Sequence, residues 1–439
     1  MKSFICKTAV LVLTAVALVS GCNCHGVDPD DITYGKVMIL YSAGYNSLSK
    51  YLQEDIQDLK SGYIPAKDAD EVLLVVSHHC ASGGDYQTAN PPTLVRFYND
   101  RKAGLVLDTL SFYSSDYHLC DAATMKTILQ QIQKQFKSDH YGMVVSSHST
   151  GWLPKGYYND SSAYDQKSTS SPKGVMRIPA FPNLPDGAVP YVEPEEMPGA
   201  PAVKSIGETR RKSDSIYISY EMDITDFAAA IPMHLDYLIF DACLTGGIEV
   251  AYELKDKTDI VSFSQTEVLA EGLDYTKIAA HLLESRVDVK SVAADYYDYY
   301  ASQTDISDQS ATVSVIDCTK LDELASVCNT LFSQYRDEIA AVKPSTVQRY
   351  FRTGHHWFYD LEDILTKSGI SVSEQQQLKS AINSCVLYKA ATEAFLEAWG
   401  GFKIEHFSGF SMYLPCNGSP YLDSFYKTLA WNKATGLVN

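Results

Sequence analysis

The segment "YGMVVSSHSTGW", residues 141 to 152, can supply two different chemistries. Ser147-His148-Ser149-Thr150-Gly151 is close to the G-x-S-x-G elbow of serine hydrolases, which would make Ser149 a nucleophile. Alternatively, a buried strand carries His148 to its C-terminal rim as an acid/base, and the nucleophile lies elsewhere. The elbow needs small flanking residues, usually glycine, and a helix starting at once. Here Ser147 takes the first glycine position, and the following "GWLPKGYYND" is rich in Gly, Pro and polar residues that do not continue as a helix. The segment therefore reads as a source of base.

A nucleophile is offered by "LDYLIFDACLTGGIEVAYELKD", residues 235 to 256. A buried strand ends at Phe240, Asp241-Ala242-Cys243 follows on the rim, and a helix begins a few residues later, with Thr245 as its expected cap. A cysteine near a helix N-terminus is a favourable thiolate, and an imidazole close by would activate it. His148 and Cys243 would share one rim if their strands are neighbours, which is for the fold to supply.

With these two motifs on the page, the chain resembles the clostripain family of cysteine peptidases, relatives of caspases, legumains and gingipains. "VVSSHSTGWLP" and "YLIFDACLTGGIEVAYELKD" carry the resemblance. "YSAGYNSLSKYLQEDIQDL", "SFSQTEVLAEGLDY" and "FSGFSMYLP" echo it, so it spans roughly residues 36 to 435. The resemblance implies a caspase-like sheet, a His148–Cys243 dyad, and endopeptidase activity after Arg or Lys. It implies an oxyanion site from the backbone N–H groups of Cys243 and Ser149. The family has His-Gly where this chain has His148-Ser149, which keeps the N–H but removes the freedom of glycine. Asp241 matches the family acid that receives a basic P1 side chain, a pairing suited to a carboxylate. Glu267 or Glu271 would add a second acid. The resemblance also implies proteolytic processing. Lys155, Lys173, Arg177, Lys204, Arg210, Arg211 and Lys212 lie in the long interruption between the two motifs, and "TRRKS" around Arg210, Arg211 and Lys212 is the expected cut.

Two other functions fit the same residues. A non-catalytic binding protein could keep the fold, given Ser149, and a serine hydrolase could use Ser149 itself. No metal is expected. His78-His79-Cys80, His118 with Cys120, and His355-His356 match no zinc spacing. No Walker, Rossmann or H-E-x-x-H pattern is present. Some relatives need calcium, but no loop here has a readable calcium pattern, so no cofactor is called for.

These residues must be positioned by the elements around them. "KVMILYS", "EVLLVVSHH", "YGMVVSSH", "LDYLIF" and "DIVSFSQ" read as buried strands, and helical stretches such as "YLQEDIQDLK" and "DAATMKTILQQIQKQF" alternate with them. The fold class is α/β: a caspase-like, mostly parallel sheet sandwiched by helices, with a C-terminal α/β extension. The expected organisation is a core at 35–310, interrupted by a loop without helix or strand period at about 153–215, and an extension at 311–439. Residues 1–21 read as a signal peptide. Leu18-Val19-Ser20-Gly21-Cys22 resembles a lipobox, making Cys22 a lipidation site and 22–34 a tether. The expected location is thus an exported, membrane-anchored bacterial lipoprotein acting on peptide or protein substrates. A net charge of −18 argues against nucleic acid as partner.

Overall fold

The strand-forming runs assemble into one sheet in a computed structural model. It describes residues 32–81, 88–168, 184, 188–190, 201–203, 208–213, 216–352 and 357–439. The signal segment, Cys22 and most of the tether lie outside the described residues. The nine strands of the sheet are β1 (Lys36–Gly44), β2 (Glu71–His79), β3 (Thr93–Asp100), β4 (Gly104–Phe112), β5 (Tyr141–Ser146), β6 (Leu235–Asp241), β7 (Thr258–Phe263), β8 (Thr312–Asp317) and β9 (Val386–Ala391). Their spatial order is β9-β8-β7-β6-β5-β1-β2-β3-β4. The five central strands, β7 through β2, run parallel; two antiparallel strands are added at each side. The central strands read as continuous apolar runs because both of their faces are covered. Met38, Leu73, Met143, Val144, Leu238 and Val261 are all fully buried.

Helices α1 (Ser49–Ser61), α2 (Ala122–Gln135), α3 (Ser161–Ser168), α4 (Ile224–Ala230), α5 (Ile248–Leu254), α6 (Tyr275–Ala279), α7 (Val289–Ala301) and α8 (Leu321–Gln334) follow the strands. Helix α1 packs on α6, whereas α2 packs on α4 and α4 on α5. Helix α2 is capped by the Asp121 carboxylate, which accepts from Thr124 N–H at 2.8 Å. Tyr296 and Tyr300 of "DYYDYY" are buried and Tyr299 is exposed, as a packed helical face requires.

Three features differ from the sequence reading. Residues 93–112 form an antiparallel hairpin, β3–β4, that extends the sheet. The segment from 311 onward contributes β8 and β9 to the same sheet as the core. The interruption at 153–215 is not without regular structure: it holds α3 and, with Ile216–Tyr220, a small three-stranded sheet from Ala188–Pro190 and Glu208–Ser213. Pro and Ser content hid these short strands, which carry too few residues to show a period.

The pairing of β5 with β6 has its own lock. Gly142 faces Tyr237 across the pair, and a Cβ at 142 would stand 1.9 Å from the tyrosine ring. The ring fills the place of the missing side chain, so any other residue at 142 forces the two strands apart.

The C-terminal part is tied to α5 by Glu249. Its Oε1 accepts from Tyr413 N–H at 2.8 Å and Tyr426 O–H at 2.7 Å. Burial pushes this carboxyl up from the ordinary 4.5 to about 7, against the lowering effect of those hydrogen bonds. Between these two values the folded protein holds a proton that the unfolded chain has released. Stability from this group is therefore full below the lower value and lost as pH rises through the upper one. The loss should amount to ~3 kcal/mol. Urea denaturation at pH 4.5 and 7.5 should show the native chain losing about that much more stability than Glu249→Gln, which cannot ionise. Equal losses in both proteins would remove Glu249 as the cause.

Candidate active site

The parallel register sets Ser146 at the end of β5 opposite Asp241 at the end of β6. His148 and Cys243 each lie two residues beyond this pair, so neighbouring strands deliver both to the same rim. Ligand sites in open α/β sheets form at such C-terminal rims. From the turn after β1, Ser47 brings its Oγ within 3.2 Å of His148 Nε2. The Ser147 hydroxyl donates to the Ala43 carbonyl at 3.1 Å, fastening the segment before the imidazole to β1.

The two loops touch through backbone. Gly151 has φ +63°, and a Cβ there would lie 2.2 Å from the Leu244 carbonyl oxygen. Only glycine tolerates both the conformation and the approach. Leu244 itself has φ +58°, a left-handed conformation that costs an ordinary side chain ~1–2 kcal/mol. The chain thus turns sharply just after Cys243, and such strain marks functional sites. Leu244 N–H donates to Thr266 O at 2.9 Å and Gly246 N–H to Ser264 O at 2.7 Å. Residues 264–268 are thereby held alongside the cysteine loop.

That segment covers the thiol. Val268 N–H donates to Cys243 Sγ at 3.1 Å, and Cys243 is 0% exposed. Thr312 Oγ1 accepts from the N–H groups of Gln265 and Thr266, both at 3.1 Å. Glu267, anticipated as a second substrate acid, is instead committed within the protein. Its carboxylate receives Arg352 Nε at 2.5 Å and Nη2 at 2.9 Å. The pair is largely buried, with 5% of the Glu267 and 13% of the Arg352 side chain exposed. Burial pulls the guanidinium down, but the hydrogen bond and charge of Glu267 outweigh it and hold Arg352 above its ordinary value; Cys243 adds to this. Glu271 is exposed. Arg352 had no signal in the sequence, lying 85 positions from Glu267.

Asp241 is buried beneath the rim. Its Oδ2 accepts from Tyr275 O–H at 2.8 Å and Ser146 O–H at 3.1 Å. Burial, then the charge of Asp241, pushes the Tyr275 phenol well above its ordinary value. Tyr296 is raised by burial first and then by both Asp241 and Cys243, so its hydroxyl lies within electrostatic reach of each. Thr245 does not cap α5: its hydroxyl donates to Ala242 O at 3.2 Å, and Gly247 is the cap residue. The Ser149 hydroxyl accepts from Gly151 N–H at 3.0 Å and closes the local turn.

His78 and His79 are buried in the fold. His79 Nε2 lies 2.9 Å from Ser42 Oγ. Burial depresses His79 to about 4 and, together with the charges of His118 and His79, His78 to about 3. Among the described residues no three metal-ligating side chains cluster. His355 and His356 lie outside the described residues. No helix among the described residues is long and apolar enough to cross a membrane. Of the expected processing residues, Arg210, Arg211 and Lys212 have their backbone in the strand Glu208–Ser213, and Lys173, Arg177 and Lys204 lie outside the described residues. Val203 pairs antiparallel with Leu269, and Ala270 N–H donates to Ala202 O at 2.9 Å. Residues 202 and 203 of the interruption thus lie on the loop that covers Cys243.

Comparison with known proteins bears on family and fold. The Clostripain family model matches residues 40–178 and 212–435. The chain is similar to an inactive zymogen C11 protease from Parabacteroides distasonis, at 26% identity and a TM-score of 0.69 over 92% of this chain and 99% of that one. It also has the fold of iotapain, a secreted C11 cysteine protease from Bacteroides thetaiotaomicron, at 23% identity and a TM-score of 0.68 over 92% and 99%. No curated protein matches.

Breaking the Glu267–Arg352 pair should release the cover. Arg352→Gln leaves a buried carboxylate unpaired, an expected cost of ~3–5 kcal/mol. Losing the positive charge disfavours a thiolate, yet a fully buried thiol reacts only after opening, so exposure should dominate. Mass spectrometry of iodoacetamide-treated protein should show faster alkylation of Cys243 in the variant. An unchanged rate would mean the ion pair does not hold the cover.

Proposed function

Because the chain belongs to the clostripain family and is a cysteine peptidase, we propose that it cleaves peptide bonds after Arg or Lys through a Cys243–His148 dyad. The observation that carries this reading is the β5–β6 register, which puts the two residues at equivalent distances beyond adjacent strand ends. His148 takes the Cys243 proton and the thiolate attacks the scissile carbonyl. The backbone N–H groups of Cys243 and Ser149 receive the oxyanion. The C–N bond then breaks as His148 returns its proton to the leaving amine, leaving a thioester that water hydrolyses with His148 as base. Asp241 receives the basic P1 side chain. Its position two residues before Cys243 supports this role.

The conformation described is a closed one. Cys243 and Asp241 are both 0% exposed, so a peptide reaches neither until the 264–270 segment moves. We take the interruption as the restraint on that movement, with cleavage in it as the activating step. The pairing of Val203 with Leu269 supports this, as does similarity to a protein named as an inactive zymogen. Arg210, Arg211 and Lys212 of "TRRKS" sit in a strand that must open before cutting. Export as a lipoprotein through Cys22 rests on the sequence signal alone. One preparation of full-length protein tests both: detergent-phase partitioning should be lost in Cys22→Ala, and fragment sequencing should find Arg211, Lys212 or Ser213 as a new N-terminus. Aqueous partitioning of the native chain, or a single uncut chain in active enzyme, would overturn the respective point.

Fluorogenic peptides ending in Arg, Lys, Asp or Leu test the catalytic reading on the processed chain. Cleavage after Arg and Lys should vanish in Cys243→Ala and fall ~10²–10⁴-fold in His148→Ala. Asp241→Asn should lose the basic preference while retaining alkylation of Cys243. Undiminished cleavage by Cys243→Ala would refute the dyad, and preference for Asp or Leu would refute the Asp241 pocket.

A further inference from the structure

Beneath His148, on the face of the sheet that carries α2 and α4, lies a cavity of about 90 Å³. Leu119, Met125, Phe227 and Phe240 give it an apolar wall, and His148 and Ser149 form its edge toward the rim. Ala242 contributes to the wall, but Cys243, Asp241, Glu267 and Val268 do not. The cavity therefore meets the imidazole side of the catalytic pair, away from the acid pocket and the thiol cover.

This placement sorts the two halves of a substrate. In the reading proposed above, on which this inference rests, the acyl half stays on Cys243 and the amine half departs carrying the proton of His148. The imidazole that protonates the leaving amine lines the cavity, whereas the cysteine that holds the acyl half does not. The residue reaching the cavity is then the one after the scissile bond. We infer that this cavity is the subsite for the leaving-group residue, and that it selects an aliphatic side chain there. Its size supports the choice: it exceeds what one water needs and falls short of the ~150 Å³ of a cavity that accepts benzene. Valine, leucine or methionine fits; tryptophan does not. Phe227, half-buried on α4 with its ring 5.6 Å from that of Phe240, is the wall residue that sets the limit.

The test uses the processed chain and internally quenched peptides with Lys at P1 and Gly, Val, Leu, Phe, Trp or Asp at the next position. A methyl ester of the same Lys peptide, whose methanol leaving group brings no side chain to the cavity, runs in parallel. Leu and Val should exceed Gly and Asp in kcat/KM by roughly ten-fold or more. Phe227→Ala should move the preference toward Phe, and Phe227→Trp should move it toward Gly. The ester rate of each variant scales its peptide series, so that a general loss of structure cancels. A flat series with the ester still cleaved would overturn the subsite and leave the proposed function standing. A graded series unaffected by either Phe227 variant would overturn the assignment to this cavity. Failure to cleave any substrate would remove the proposed function, and the subsite with it.

Discussion

The register between β5 and β6 is the constraint on which the site depends. A parallel pair can slip, and a slip of one residue turns every side chain to the opposite face. The Tyr237 ring, lying where a side chain at Gly142 would stand, opposes such a slip. Both strands are buried on two faces, so packing adds to the same restraint. His148 and Cys243 are carried by strands separated in sequence by the whole interruption, yet their relative position is set by a few pairs in the centre of the sheet. The Gly151–Leu244 backbone contact then fixes the distance between the loops beyond the strand ends.

Access to the thiol is governed by a separate set of interactions. The 264–268 segment is hydrogen-bonded to the cysteine loop on one side and to Thr312 on the other. Arg352 clamps it through Glu267. Both Thr312 and Arg352 come from the segment beyond residue 310. That segment therefore helps decide whether the catalytic residues can be reached, in addition to extending the sheet.

Much of this was legible from residue types. The continuous apolar strands identified a sheet covered on both faces, and the missing helix after Ser149 separated His148 from a serine-elbow reading. The strand, Asp-Ala-Cys and helix order singled out Cys243. Strand adjacency could not be read, because it depends on pairing between distant segments. The Glu267–Arg352 pair was hidden for the same reason: a lone arginine carries no local pattern, and the acid looked available until its partner was located. Thr245 resembled a cap by type, but a backbone turn at Leu244 aimed its hydroxyl at Ala242 O instead. The β3–β4 hairpin was missed because "TLVRFYND" sets its apolar residues in adjacent pairs, Leu94-Val95 and Phe97-Tyr98, rather than in alternation.

The interruption joins the strand bearing His148 to the strand bearing Cys243. A cut within it would divide the two residues between separate polypeptides, held together by the central pairing of the sheet. Native contacts would survive, but the unfolded state would change from one chain to two. Refolding would become a second-order reaction whose success depends on dilution, because the connection that kept the halves at high local concentration is gone. A nicked molecule that unfolds at low concentration would thus have little chance of returning. Its working lifetime would be governed by the rate of unfolding.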